Sequence, residues 1–521
     1  MDRTATDTPL GLNRRRLLGG AAAAAGMAAL GPALGAVGSR RDDLPAAICD
    51  MTALQLSRAI RSGQLGCREV MEAYLARIER FNPLYNAIVA MPEHSELLSQ
   101  AELADRDLAR GHYRGWMHGM PHAVKDLADV KGLVSTGGSP LFRNHVATRD
   151  SLVTARMRAA GAIFIGKTNV PEYGLGSQTY NPVYGTTRNA YNPDLVAGGS
   201  SGGAAVGLAT RMLPVADGSD MMGSLRNPAA FNNVIGFRPT QGRVPHEGSD
   251  LFLQQLGYEG PMGRDVDDTA QLLATLAGVD PATPLSLRDT FSGAPPMAEA
   301  ALAGLRIGWL GDYRGYLPME SGVLPLCRGA LGTLEDHGVA VEDAVPDYDM
   351  ARLWRCWLTL RHWALAGGVG ALYAQADKRA QMKPELVWEI EGGLDMKAVD
   401  VAAAGVARSD WYRALLALFE RFDFLVLPTA QVFPFAADVH WPRQVGGVDM
   451  DTYHRWMEVV IGGTLSGCPV VNVPAGFAAD GRPMGLQVIG PFGQDARVLS
   501  FARAYTGVTP WLGRRPVLRE A

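Results

Sequence analysis

Six residues, Gly198-Gly199-Ser200-Ser201-Gly202-Gly203, constrain what this chain can fold into more than any other stretch. Four glycines in six positions open backbone conformations that other residues avoid. The run passes directly into Gly203-Ala204-Ala205-Val206-Gly207-Leu208-Ala209-Thr210, whose small side chains predict a closely packed helix. A glycine turn that opens a helix aims bare N–H groups and the positive helix end at whatever lies before it. The residues around it carry matching chemistry: Ser200, Ser201, a further serine at Ser224 in Asp220-Met221-Met222-Gly223-Ser224, and Lys125 in Pro121-His122-Ala123-Val124-Lys125-Asp126. A serine hydroxyl is a weak nucleophile until a base takes its proton, and lysine is such a base if burial keeps its amine neutral near pH 7. A second serine between them relays the proton, and backbone N–H groups hold the tetrahedral oxyanion. The set predicts acyl transfer that needs neither histidine nor metal.

Other readings of the same block stay open at this level. Gly198–Gly202 and Gly199–Gly203 both satisfy G-x-S-x-G, the nucleophile elbow of α/β-hydrolases, with His440 and His454 available to complete a triad. That elbow should follow a buried strand, whereas Tyr191-Asn192-Pro193-Asp194-Leu195-Val196-Ala197 is rich in turn formers. A phosphate-binding loop would need Gly-Lys-Ser/Thr to close the glycine run, and none does. A noncatalytic glycine-rich turn is the remaining reading.

The block from Gly198 to Pro245 resembles that of the amidase signature family, whose hallmark is a Ser-cisSer-Lys triad. By that resemblance Lys125 is the general base, Ser200 the bridging serine on a non-proline cis peptide, and Ser224 the nucleophile. The oxyanion hole falls on the N–H groups of Met221, Met222, Gly223 and Ser224. Further segments extend the likeness over most of residues 45–510. They include Phe81–Ala87 as a helix-to-strand corner, Gly161–Thr179, Gly260–Asp268, Leu425–Thr429, and Gly467 to Pro491 as the last core strands. The resemblance implies one compact α/β domain, a mixed central β-sheet with helices on both faces. The signature core falls at about 66–280 and a C-terminal half at about 300–510, with the Pro/Gly-rich stretch 281–300 between them. One departure stands out. The family usually has two glycines before the nucleophile, and here Met222 replaces the first, which questions the backbone angle there and makes Met222 a candidate specificity residue. His122 and Gln178 are further candidates for touching substrate. Asp220 and Arg226 read either as polar framework of the nucleophile loop or as an ordinary buried ion pair.

The N-terminus carries a separate signal. Asn13-Arg14-Arg15-Arg16-Leu17-Leu18 precedes a stretch, 17–38, without charge that ends in small residues. This order predicts a twin-arginine export signal over residues 1–38 and a mature domain over 39–521, periplasmic or secreted. A membrane anchor is the competing reading, but the run's many Ala and Gly residues and Pro32 make it weakly apolar. Balanced charge, 49 Lys and Arg against 53 Asp and Glu, gives no surplus for a polyanion such as nucleic acid.

Coarse patterning predicts an amphipathic helix over 66–80 and buried strands at Ala162–Ile165 and Leu305–Leu310. Five cysteines, without metal-ligand spacing, argue against a zinc site, although export would permit a disulfide. The aromatic segment Trp354–Trp363, and Tyr453, Trp456 and Met457, read as core or as a pocket wall. The sequence therefore predicts an exported amidohydrolase for a small-molecule amide, with carbamates or esters as related substrates. It would need no cofactor and would work as a monomer or homodimer. The alternatives are a binding protein of the same fold that has lost turnover, or an α/β-hydrolase.

Overall fold

Runs such as Phe424–Pro428 and Val470–Phe477 are buried along almost their whole length, as strands covered on both faces are. In the computed structural model, which describes residues 47–521 apart from Ser249, 254–255, Pro296 and 298–300, they sit inside an eight-stranded sheet. Its order is Ala340–Asp343, Arg306–Trp309, Phe424–Pro428, Pro483–Ile489, Val470–Phe477, Ile235–Arg238, Tyr258–Gly263 and Ala216–Asp220. The first three run parallel and each later neighbour pairs antiparallel, so the sheet is mixed, and helices flank it. One continuous apolar core draws on residues from Cys49 to Tyr505 and makes a single domain of both halves. The 281–295 stretch between the halves carries neither helix nor strand.

A smaller sheet delivers the lysine. Ile163–Thr168 pairs antiparallel with Ile88–Val89 and parallel with Pro121–Lys125. The last of these meets the edge strand Ala216–Asp220 through one side chain: Asp217 accepts from the Lys125 N–H at 3.1 Å and lies 2.9 Å from His122 Nε2.

The helix expected over 66–80 spans Cys67–Tyr85, with Val70, Met71, Tyr74, Leu75, Ile78 and Phe81 on its buried face. It runs on through Pro83, whose missing N–H leaves the carbonyl of Glu79, an exposed residue, without its helical partner. Asn86, at φ 48°, ends it, and Asn82 Oδ1 accepts from the N–H groups of Ala87 and Ile88 at 2.8 and 2.9 Å, forming the corner expected there. The predicted strands appear as Ile163–Thr168 and Arg306–Trp309.

The glycine block becomes the buried helix Gly202–Ala209. A Cβ on Gly203 would collide with the backbone nitrogen of Asn169 and lie 2.5 Å from Ala87 O, so only glycine lets this helix start rest on the strand ends. All five cysteines are buried and unpaired. Among the described residues no helix is long and apolar enough to cross a membrane. The expected export signal, residues 1–38, lies outside the described residues.

Candidate active site

Lys125 ends its strand with its side chain fully buried, and among the described residues no carboxylate pairs with its amine. Instead Nζ lies 2.8 Å from both Ser200 Oγ and Ser201 Oγ, 3.0 Å from Ser219 Oγ and 3.1 Å from the Ser219 carbonyl. Burial pushes the amine down to about 7, against the opposing pull of Asp220, Asp217 and Glu259. Near neutral pH it therefore exists in both forms and can accept and return a proton.

The Gly199–Ser200 peptide is cis. Hydroxyls of Ser177 and Thr179 donate to the carbonyls of Gly199 (2.7 Å) and Gly198 (2.9 Å), and the Ser201 N–H donates to the Ser224 carbonyl at 3.3 Å, which ties the two serine loops together. Asp220 shapes the Ser224 loop. Its carboxylate accepts from the N–H groups of Gly223 (2.8 Å) and Leu225 (3.2 Å), and from Arg226 Nε and Nη2 at 3.0 and 3.1 Å. Burial works to raise this carboxyl, but Arg226 and Arg238 hold it well below the usual range. Arg226 is satisfied elsewhere by Val460 O, Gln487 Oε1 and Thr464 Oγ1 at 2.7 to 3.0 Å. The pair is thus a structural clamp on the loop.

Ser200 and Ser224 open onto a cavity of about 200 Å³. Leu127, Leu175, Leu365, Met221 and Tyr173 give it an apolar wall, while Ser219, Glu259, His246 and Arg361 make it polar at other points. His246 Nδ1 stands 3.5 Å from Glu259 Oε2; burial works to lower the imidazole, and Glu259 outweighs it, leaving His246 raised.

Three expected substrate contacts are absent from this wall. His122 is fully buried against Asp217, Gln178 donates to the Ala437 carbonyl at 2.9 Å, and Met222 points into the apolar core. Met222 does not need a positive φ; Gly223 alone in the loop has one, at 79°. The neighbouring Met221 takes the position in the wall. In the oxyanion set, Gly223 spends its N–H on Asp220, whereas the N–H groups of Met221, Met222 and Ser224 have no acceptor among the described residues. Of the aromatic segment only Arg361 belongs to the wall, with Trp354 and Trp357 in the core. Tyr453, Trp456 and Met457 are also buried and do not line the cavity, with Tyr453 behind the wall residue Arg361. His440 stacks on Tyr180 and His454 lies near Glu389, so neither reaches the serines as an α/β-hydrolase histidine would.

Sequence reasoning missed Ser219, Asp217 and Arg361. Asp217 and Ser219 alternate on one face of their strand, and that period of two was legible. Arg361 continues the helical stripe of Trp354 and Trp357, a charge where an apolar residue is expected. It is held by Glu389 Oε1 at 2.5 Å, Tyr453 Oη at 2.8 Å and Met221 Sδ at 3.1 Å.

Residues 69–499 match the family model described as Amidase. The chain is 32% identical over 473 residues to an acylamidase of Rhodococcus erythropolis, covering 89% of this chain and 97% of the relative. It is 34% identical to a glutamyl-tRNA(Gln) amidotransferase subunit of Thermus thermophilus, covering 90% of this chain and all of the relative. The structure of a bacterial aryl acylamidase of the amidase signature family superposes with a TM-score of 0.81 at 29% identity, covering 90% of this chain and 99% of that one.

Proposed function

The chain belongs to the amidase signature family, and on that footing we propose that it is an exported hydrolase of small carboxamides acting through an acyl-enzyme on Ser224. One observation carries this reading: a buried lysine, pushed down to about 7, lies 2.8 Å from Ser200 Oγ, and Ser200 shares a cavity with Ser224.

A neutral amine has two N–H donors and one lone pair. With the donors directed to the Ser219 carbonyl and Ser201 Oγ, the lone pair accepts the Ser200 proton as Ser200 takes that of Ser224. Ser224 Oγ then bonds to the carbonyl carbon, and the N–H groups of Met221, Met222 and Ser224 are the donors for the oxyanion. Collapse breaks the C–N bond, and the leaving amine takes the proton back from Lys125 through Ser200. Water, activated by the same relay, releases the acid and restores Ser224.

The small cavity with its leucines and Tyr173 suits compact aryl or aliphatic acyl groups, in keeping with the acylamidase relative. Carbamates and esters can form the same kind of intermediate. Export, read from residues 13–38, would separate the enzyme from charged transfer RNA and so disfavours the amidotransferase role of the other relative. A binding protein that had lost turnover would need a defect in the Ser224 loop, and Met222, the departure there, places its side chain in the core without a positive φ.

The test is hydrolysis of a panel of anilides, primary amides, carbamates and esters by the mature chain, with Ser224→Ala alongside. Turnover should fall at least about 10⁴-fold in the variant, and a serine-directed phosphonofluoridate should label Ser224 alone. Normal turnover in Ser224→Ala, with both proteins folded, would refute the assignment.

A further inference from the structure

Both helices that follow the serine loops end at a second cavity. Gly202–Ala209 starts beside Ser201 and closes with Leu208 and Ala209 in the wall of a hollow of about 140 Å³. Arg226–Phe231, which follows Ser224, leads to Asn232 and Asn233 in the same wall. The strand Tyr258–Gly263 leaves the catalytic cavity at Tyr258 and Glu259 and delivers Arg264 and Asp265 to this one.

The charges around it do not balance. Asp50 alone answers two arginines, at 2.7 Å from Arg211 Nε and 3.2 Å from Arg515 Nη1. Arg264 donates to the carbonyls of Cys49 and Met51, Arg77 to that of Thr210, and Arg514 lies over the Phe477 ring. Among the described residues these three make no ion pair with a carboxylate. Asp265, the other carboxylate in the wall, is engaged as a helix cap on the Asp268 N–H at 2.8 Å. Arg264 Nε is a buried donor without an acceptor. Arg211 is pushed down to about 10, by burial first and then by Arg264 and Arg515. Its backbone is held at φ 60°, where glycine would be less strained, so the position keeps an arginine at a conformational cost.

We propose that this cavity is an anion site for a small, doubly charged oxyanion, with inorganic phosphate as its simplest occupant. The guanidinium groups of Arg211, Arg264, Arg514 and Arg515 all stand in its wall, a chemistry that matches tetrahedral oxygens, and the volume admits one such ion and no nucleotide. The site stands at the far ends of the helices that follow the Ser200 and Ser224 loops and is separate from the catalytic cavity.

Calorimetric titration of the mature chain with inorganic phosphate, at ionic strength fixed with sodium chloride, tests it. Saturable binding of one ion is expected, weakened about tenfold or more by Arg211→Gln and also weakened by Arg515→Gln, whose exposed side chain makes misfolding no explanation. Asp50→Asn should tighten it by removing the competing carboxylate. Arg361→Gln should leave it unchanged, because an ion bound in the catalytic cavity would be lost there instead. No saturable binding, equal binding in wild type and Arg515→Gln, loss in Arg361→Gln, or binding of acetate without phosphate would each overturn the proposal.

Discussion

The pH dependence of turnover offers the sharpest test of the lysine, since its burial has a calculable consequence. Lowering its pKa from 10.5 to about 7 biases Lys125 toward the neutral amine by about 5 kcal/mol. At pH 7 about half of the molecules then hold a competent base, against roughly one in 3,000 for a lysine of ordinary pKa. Plotted against pH, kcat/KM for an acyl p-nitroanilide should rise about tenfold per unit at low pH and level off above about 7. The informative perturbation is Glu259→Gln. Glu259 lines the cavity and, with Asp220 and Asp217, favours the charged amine. Removing its charge should move the rising limb to lower pH while the plateau changes little. A limb centred near 10 would show that burial does not set the base, and a limb that moves upward in Glu259→Gln would refute the electrostatic assignment.

The two methionines before Ser224 should behave oppositely. Met221→Ala enlarges the cavity and should change the ranking of acyl groups, whereas Met222→Ala leaves a core void, costing about 2–5 kcal/mol in a denaturant titration with the ranking kept. Lys125→Met should alter the pH dependence of stability. Because the folded state holds the amine below its unfolded value, the unfolded chain binds more protons between about 7 and 10.5, so wild-type stability gains a rising component across that window. The Lys125→Met variant should lack that component when denaturation is followed at pH 7 and 9.5, and equal slopes would contradict it.

What the sequence made legible, and what it hid, divides along a physical line. Lys125, Ser200 and Ser224 stood out because a lysine and serines beside glycine-rich turns are unusual chemistry for such apolar surroundings, while the cis Gly199–Ser200 peptide was implied by the family resemblance alone. The mixed sheet was implied by the resemblance to the amidase signature family, and the strand order of the structure agrees with it. The rest of the wall depends on which face of an element meets the cavity, and that is settled by packing between parts of the chain far apart in sequence. Met221 and Met222 are adjacent and chemically identical, yet one lines the cavity and the other fills the core. Arg361 reaches the cavity from a helix more than a hundred residues beyond Ser224, fixed there by Glu389 and Tyr453 from two other segments. Gly223 shows the same limit within one loop: nothing in Asp220-Met221-Met222-Gly223-Ser224 says that the aspartate will take its N–H. Under the proposed function, the reacting side chains are each readable from their own segment, whereas the wall that would select a substrate is assembled by tertiary contacts. Changes at Met221, Arg361 or Tyr173 should then redirect specificity, and Arg361→Gln should do so without moving the Lys125 pH limb, because Arg361 is not among the charges that act on that amine.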